Sequence, residues 1–383
     1  MLKDRYYFLL KNCNLKATER QISEKVLSDQ RIDEQEALYL YQKAKIDFLS
    51  LLSSYVREKI NGKNIFYNKN IHIEPSNICI YNCKFCSFRR RFNDSDAWNL
   101  TIEEILDVVE KHKESDITEI HITGGVHPHY NLFNYASLIR KIKQIMPQVH
   151  IKAFTAIEID YMCKKANVDY FKGLKILKEA GLGSLPGGGA EIFDNEIRQK
   201  IAYEKSNSKI WLEIHKTAHQ VGLPSNATIL FGHIEKYEHR VDHLSKLRQL
   251  QDQTNGFNAF IPLKFKNANN QLSDVLETTI IDDMKNFAVS RIFLDNIPHL
   301  KFYWVNYGRQ YAQIAINFGV DDLDGTIKNT TKIYTMAGSD EQTPNMEENE
   351  IIKTINAADY IAVERNSIYE PLKHYYPSIE QTS

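Results

Sequence analysis

Ile71-His72-Ile73-Glu74-Pro75-Ser76-Asn77-Ile78-Cys79-Ile80-Tyr81-Asn82-Cys83-Lys84-Phe85-Cys86 carries a short apolar strand core directly into three cysteines at C-x3-C-x2-C spacing. One loop therefore offers three thiolates, whereas closed structural zinc sites and complete [4Fe–4S] shells use four protein ligands. Cys13 and Cys163 lie far from this loop and read as small buried hydrophobes. A trio without a fourth partner leaves one corner of an iron–sulfur cube open to a small chelating molecule. Structural zinc and unliganded loop cysteines are the competing readings of the same spacing.

Outward from this stretch, short apolar runs alternate with amphipathic helical ones. The strand cores fall at 71–74, 119–122, 150–154, 182–185, 227–231, 257–262, 301–305 and 320–323, with helical stretches such as 101–113, 135–146, 210–221 and 241–252 between them. Eight strands with intervening helices predict an α/β fold, a (βα)8 barrel of the TIM type, with its chemistry where strands end and loops begin. Upstream, 14–62 reads as helical: Asp33 and Glu36 are spaced as a capping box, Ile46, Leu49, Leu52, Val56 and Ile60 mark one apolar stripe, and Asn61-Gly62 stops it. The pattern predicts a helical extension over 1–62, the barrel over 63–339, and a polar loop and closing segment packed on it over 340–383.

The 48 Lys plus Arg against 49 Asp plus Glu of this 383-residue chain leave a formal charge of -1. No global field recruits nucleic acid or an anionic membrane. No apolar run approaches the roughly 18 residues that cross a bilayer, and the N-terminal stretch has no small-residue cleavage pattern, so a soluble cytoplasmic protein is expected. Gly187-Gly188-Gly189 is not followed by Gly-Lys-Ser/Thr, which leaves nucleotide hydrolysis unsupported. His215 and His219 are spaced i, i+4, but no third ligand accompanies them, and they read as core or surface histidines.

The cysteine spacing, with Phe85 as the aromatic before the last cysteine and a first barrel strand ahead of it, resembles the radical S-adenosylmethionine (SAM) superfamily. The resemblance implies that Cys79, Cys83 and Cys86 hold a [4Fe–4S] cluster whose open iron is chelated by SAM, and that Phe85 borders the adenine. Thr123-Gly124-Gly125 looks like the superfamily's glycine pair that receives the methionine ammonium, with Val126 where an acidic residue is usual. Beyond the fourth strand, Ser184-Leu185-Pro186-Gly187-Gly188-Gly189-Ala190-Glu191 lets backbone pass close to a ligand, with Glu191 as the ribose candidate. Arg198 reads either as a clamp on the methionine carboxylate or as part of a solvated helix face. Thr228-x-Leu230-x-Gly232-x-x-Glu235 approximates the adenine-lining G-x-I-x-G-x-x-E, with Thr228 where glycine is usual.

Longer strings at 152–158, 184–191, 225–235, 239–244, 294–299 and 318–326 resemble the menaquinone futalosine-pathway branch of that superfamily. Two sister groups share the branch. One joins the adenosyl radical of SAM to an alkene; the other abstracts hydrogen and cyclises its substrate. Segments 153–158, 260–265 and 322–326 are similar to the first group. That resemblance implies an enzyme that consumes SAM as co-substrate, takes the small molecule 3-[(1-carboxyvinyl)oxy]benzoate, loses a carboxylate carbon and forms 6-amino-6-deoxyfutalosine. It also implies a low-potential electron donor such as flavodoxin or ferredoxin, and no nucleic-acid or membrane partner. Asn77, Asn226, His233 and Arg89, Arg90 and Arg91 are candidates to position the two substrate carboxylates, and no acid/base pair is indicated. A non-catalytic iron–sulfur or zinc protein is the alternative from another class.

Overall fold

The computed structural model describes residues 2–328 and 331–377. The helical extension is four helices, α1 (Leu2–Lys11), α2 (Ala17–Leu27), α3 (Glu34–Lys43) and α4 (Ile46–Asn61). Asp33 caps α3 by accepting from the Glu36 amide while Glu36 returns to the Asp33 amide, the reciprocal pair its spacing predicts. On α4 the residues Leu49, Leu52 and Val56 are buried, but Ile60 is 37% exposed, so the apolar stripe ends a turn before the helix does. Gly62, at φ 59°, then terminates it. α3 and α4 pack on the helices Tyr237–Thr254 and Ile280–Phe293, which belong to the barrel's outer layer.

The strands are β1 (Asn64–Asn68), β2 (Asn70–Ile73), β3 (Glu119–Ile122), β4 (His150–Ala153), β5 (Leu182–Ser184), β6 (Ser225–Phe231), β7 (Phe257–Lys264), β8 (His299–Leu300), β9 (Asp322–Gly325), β10 (Ile361–Arg365) and β11 (Pro371–Tyr375). β2 to β5 pair in parallel in chain order, as do β6 to β8. Parallel bridges Leu185↔Ser225 and Lys301↔Asp322 join β5 to β6 and β8 to β9. The Lys328 amide donates to the Asn70 carbonyl at 3.1 Å, which returns the circuit to β2. Such a closed parallel circuit needs crossover helices, and capping boxes start several of them, among these Thr101/Glu104, Asn131/Asn134 and Thr155/Glu158.

Two strands differ from expectation. Residues 301–305 leave β8 for a helical turn, Trp304–Tyr307. The Trp304 indole N–H donates to the Gly325 carbonyl at 2.9 Å, and the Asn306 amide brackets both backbone groups of Lys264, contacts that no local periodicity encodes. The last barrel strand begins at Asp322, two residues after the expected start at Val320. Beyond 340 the chain forms the helix Glu348–Asn356 and then β10, which lies parallel to β1, with β11 antiparallel to it. The wholly buried Arg365 of β10 donates to Asp322 of β9 from Nε at 2.8 Å, tying the closing segment to the barrel. Among the described residues no helix is long and apolar enough to cross a membrane.

Candidate active site

The cysteine loop leaves the C-terminal end of β2 and is held on both sides. The Cys79 amide donates to the Arg90 carbonyl at 3.2 Å, and the Arg90 amide donates to the Asn77 carbonyl at 2.8 Å. Asn77 spends its side-chain amide on the Asp96 carbonyl and the Trp98 amide, and Arg90 spends its guanidinium on Asp96 and on the carbonyls of Ser87 and Arg89. These two therefore brace the loop and do not wait for a substrate carboxylate. His233 is likewise turned to its own loop, against the Leu230 carbonyl and the Glu235 carboxylate. Of the polar residues expected at the mouth, Asn226 lines the barrel cavity.

Gly124 and Gly125 sit beneath the cysteine loop. The Gly125 amide donates to the Ser76 carbonyl at 2.6 Å, and a Cβ on Gly125 would stand 2.3 Å from the Ile78 carbonyl oxygen. Only glycine permits this approach. A Cβ on Gly187 would meet the Asn226 carbonyl at 2.3 Å, and Thr228 donates its hydroxyl to the Gly187 carbonyl at 2.8 Å, so the departure from glycine at 228 fastens the glycine loop to β6. The backbone of Glu191 bonds that of Leu230 at 2.8 Å, and the buried Glu235 carboxylate accepts from the amides of Gly232 and His233. The glycine pair is thus fastened to the cysteine loop, and the glycine loop and Glu191 to β6.

Arg198 differs from both of its readings. It is 3% exposed, and its guanidinium donates to the carbonyls of Gly189, Ala190, Ile192 and Ser206. With four contacts spent on backbone, it is a brace for the glycine loop and lies on the buried face of its helix, away from the exposed Glu196, Gln199 and Lys200. Lys205 takes the charged role that the sequence does not announce: its ammonium pairs with Glu191 at 2.7 Å and lies 5.3 Å from the centre of the Phe85 ring.

Cys79, Cys83 and Cys86 are free thiols, with Cys83 buried and the others half-buried. Burial pushes the Cys83 thiol up to about 12 and raises Cys79 as well. Among the described residues no group of three His, Cys, Asp or Glu side chains is gathered for a single metal ion. A cubane asks for no such gathering, because each cysteine ligates a different iron; the all-thiol donor set fits that cofactor. Cys163 is core, and Cys13 bonds the Leu9 carbonyl at 3.3 Å. His215 and His219 both face the Ser225 hydroxyl at 2.8 Å, at the opposite end of β6 from the cysteines, and His215 stacks on Trp211, which makes them core histidines.

A cavity of about 210 Å³ runs down the barrel interior from Thr123, Thr155 and Gly188 at the strand ends. Its sides include Ile261, Leu263 and Tyr303, and polar groups line it deeper in. Sequence reasoning passed over those groups. The available signal was a polar residue between apolar ones in three successive strand cores, His72, His121 and Lys152.

Comparison with known proteins bears on this arrangement. Residues 73–247 match the radical SAM superfamily and residues 254–377 the CofH/MqnC C-terminal region. The chain is 43% identical to an aminodeoxyfutalosine synthase of Thermus thermophilus over 92% of its own length and 95% of that protein. It is 35% identical to a 5-amino-6-(D-ribitylamino)uracil–L-tyrosine 4-hydroxyphenyl transferase of Methanothermobacter thermautotrophicus, over 94% and 99% of the two chains. The crystal structure of methylornithine synthase, 17% identical, superposes with a TM-score of 0.70 over 88% of this chain and 95% of that one, a likeness of fold.

Proposed function

Since the chain belongs to the radical SAM superfamily, we propose that it joins the 5′-deoxyadenosyl portion of SAM to 3-[(1-carboxyvinyl)oxy]benzoate, with loss of a carboxyl group, to form 6-amino-6-deoxyfutalosine for menaquinone biosynthesis. The observation that carries this reading is a partly aromatic cavity that opens at Thr123, the neighbour of Gly124, and at Gly188 of the glycine loop. The 43% identity to a protein named for that synthesis, against 35% to the hydroxyphenyl transferase, favours it among the chemistries of the family.

A [4Fe–4S] cluster on Cys79, Cys83 and Cys86 would supply the electron that cleaves bound SAM. Phe85, Leu230 and Gly232 would border the adenine, Gly124 and Gly125 would present backbone to the methionine end, and Glu191 would accept from the ribose hydroxyls. Arg198 acts on this shell through the glycine loop that it braces. The barrel walls keep water and stray C–H bonds from the alkene, and no proton-transfer pair is required. The electron comes from a low-potential donor such as flavodoxin or ferredoxin, and the protein works in the cytoplasm as residues 63–339 of barrel flanked by 1–62 and 340–383.

Anaerobic incubation of the reconstituted, reduced protein with SAM and the vinyl-ether benzoate, followed by mass spectrometry, tests the reading. The adenosyl adduct is expected. Free 5′-deoxyadenosine as the stoichiometric product would overturn it in favour of hydrogen abstraction.

A further inference from the structure

Barrel interiors of this kind are usually filled by layers of branched aliphatic side chains. Here His72, His121 and Lys152 occupy paired register positions on β2, β3 and β4, so one inner layer carries three polar side chains side by side. Lys152 Nζ stands 2.6 Å from Glu119 Oε2, and Lys301 Nζ stands 2.6 Å from Asp324 Oδ1. The rings of His72 and His121 are 4.6 Å apart, edge to face. All six residues line the cavity below the strand-end shell.

The charges of this layer cancel. Each ammonium already has its carboxylate, and burial drives His72 down to about 4 and His121 well below the usual imidazole range, so both rings are neutral. His121 Nε2 is buried without a hydrogen-bond partner. The groups facing His121 are His72 of β2, Glu119 of its own strand, Lys152 of β4, Lys301 after β8 and Asp324 of β9. An anion entering this layer would find no uncommitted cation, and a buried charge without one is costly. A proton on His121 would provide both the missing charge and a donor at the orphaned nitrogen.

We propose that this layer seats the ring carboxylate of an aromatic acid substrate and that His121 takes up a proton as the carboxylate binds. The inference rests on the reaction proposed above. There the vinyl-ether end must face the shell at Thr123, Thr155 and Gly188, which directs the ring past Ile261, Leu263 and Tyr303 and its carboxylate to the polar layer. The seat recognises the part of the substrate that persists in the product.

The test is calorimetric titration of the reconstituted holoenzyme with the vinyl-ether benzoate near neutral pH, in buffers of different ionisation enthalpy. Uptake of roughly one proton per bound substrate is expected. His121→Asn should bind about tenfold more weakly or worse, with no proton uptake, and should retain the circular dichroism of the parent because it removes no charge from the folded layer. The analogue bearing a carboxamide in place of the ring carboxylate should bind parent and variant alike, without proton uptake. A parent protein that forms the adenosyl adduct yet takes up no proton, or that binds acid and carboxamide equally well, would overturn the seat and leave the reaction standing. A parent protein that neither binds nor converts the acid would overturn both.

Discussion

Lys205 Nζ stands 2.7 Å from Glu191 Oε1, at the edge of the cysteine loop. Burial works against the ammonium, but Cys83, Glu191 and Cys86 outweigh it and hold its pKa above the usual lysine value. The pair fixes the Glu191 carboxylate with one oxygen engaged and the other free of a protein ammonium. Glu191→Ala should therefore lower SAM affinity by about tenfold or more, the scale of a lost charge-assisted bond. Iron and sulfide content should stay at the parental level. Equilibrium binding of SAM to the reconstituted protein checks this, and unchanged affinity removes the ribose role.

Cys83→Ala should abolish cluster assembly and SAM cleavage while the barrel remains folded. The side chain lies on a loop bonded mainly through its backbone, so loss of one buried sulfur should cost only about 1 kcal/mol. Iron and sulfide analysis alongside a melting curve separates the two effects. Normal turnover by this variant would refute the ligand assignment.

Arg198→Lys should behave as a stability variant. One ammonium cannot reproduce a planar fork that reaches the carbonyls of Gly189, Ala190, Ile192 and Ser206, and the stranded carbonyls should cost about 2–4 kcal/mol in urea denaturation. A loss of SAM affinity with parental stability would instead reinstate the carboxylate clamp.

Glu158, buried at the start of the helix Ala156–Ala166, carries a pKa raised to about 7 by its burial, against 4.5 for an open glutamate. A raised folded value means that the contribution to stability is fully present below pH 4.5 and is lost as pH climbs through about 7. The full swing is about 3 kcal/mol. Glu158→Gln should thus unfold at a higher denaturant concentration than the parent on the alkaline side, and the gap should close as the pH falls toward 4.5. A gap that does not change with pH would contradict the assignment.

The alternation of strand cores with amphipathic stretches was legible because each barrel strand and its helix bury their faces locally. The capping box at Asp33 acts over three residues and needed no tertiary information. β1 escaped notice although Ile65, Phe66 and Tyr67 are apolar, since its partners are β9 and β10, some three hundred residues later for the second. The turn at Trp304–Tyr307 escaped for the same reason: its holders, Gly325 and Lys264, lie on other strands.

At the site, the meeting of Cys79, Cys83 and Cys86 on one loop was legible, because three cysteines within eight positions are a covalent fact of the chain. Whether Arg198 points at a ligand or at the backbone, that Lys205 meets Glu191, and that His72, His121, Lys152, Lys301 and Asp324 converge on one cavity were decided only by folding. Those relations join side chains from different strands, and their charges and hydrogen bonds acquire direction only once the parallel circuit closes and water is excluded from its centre.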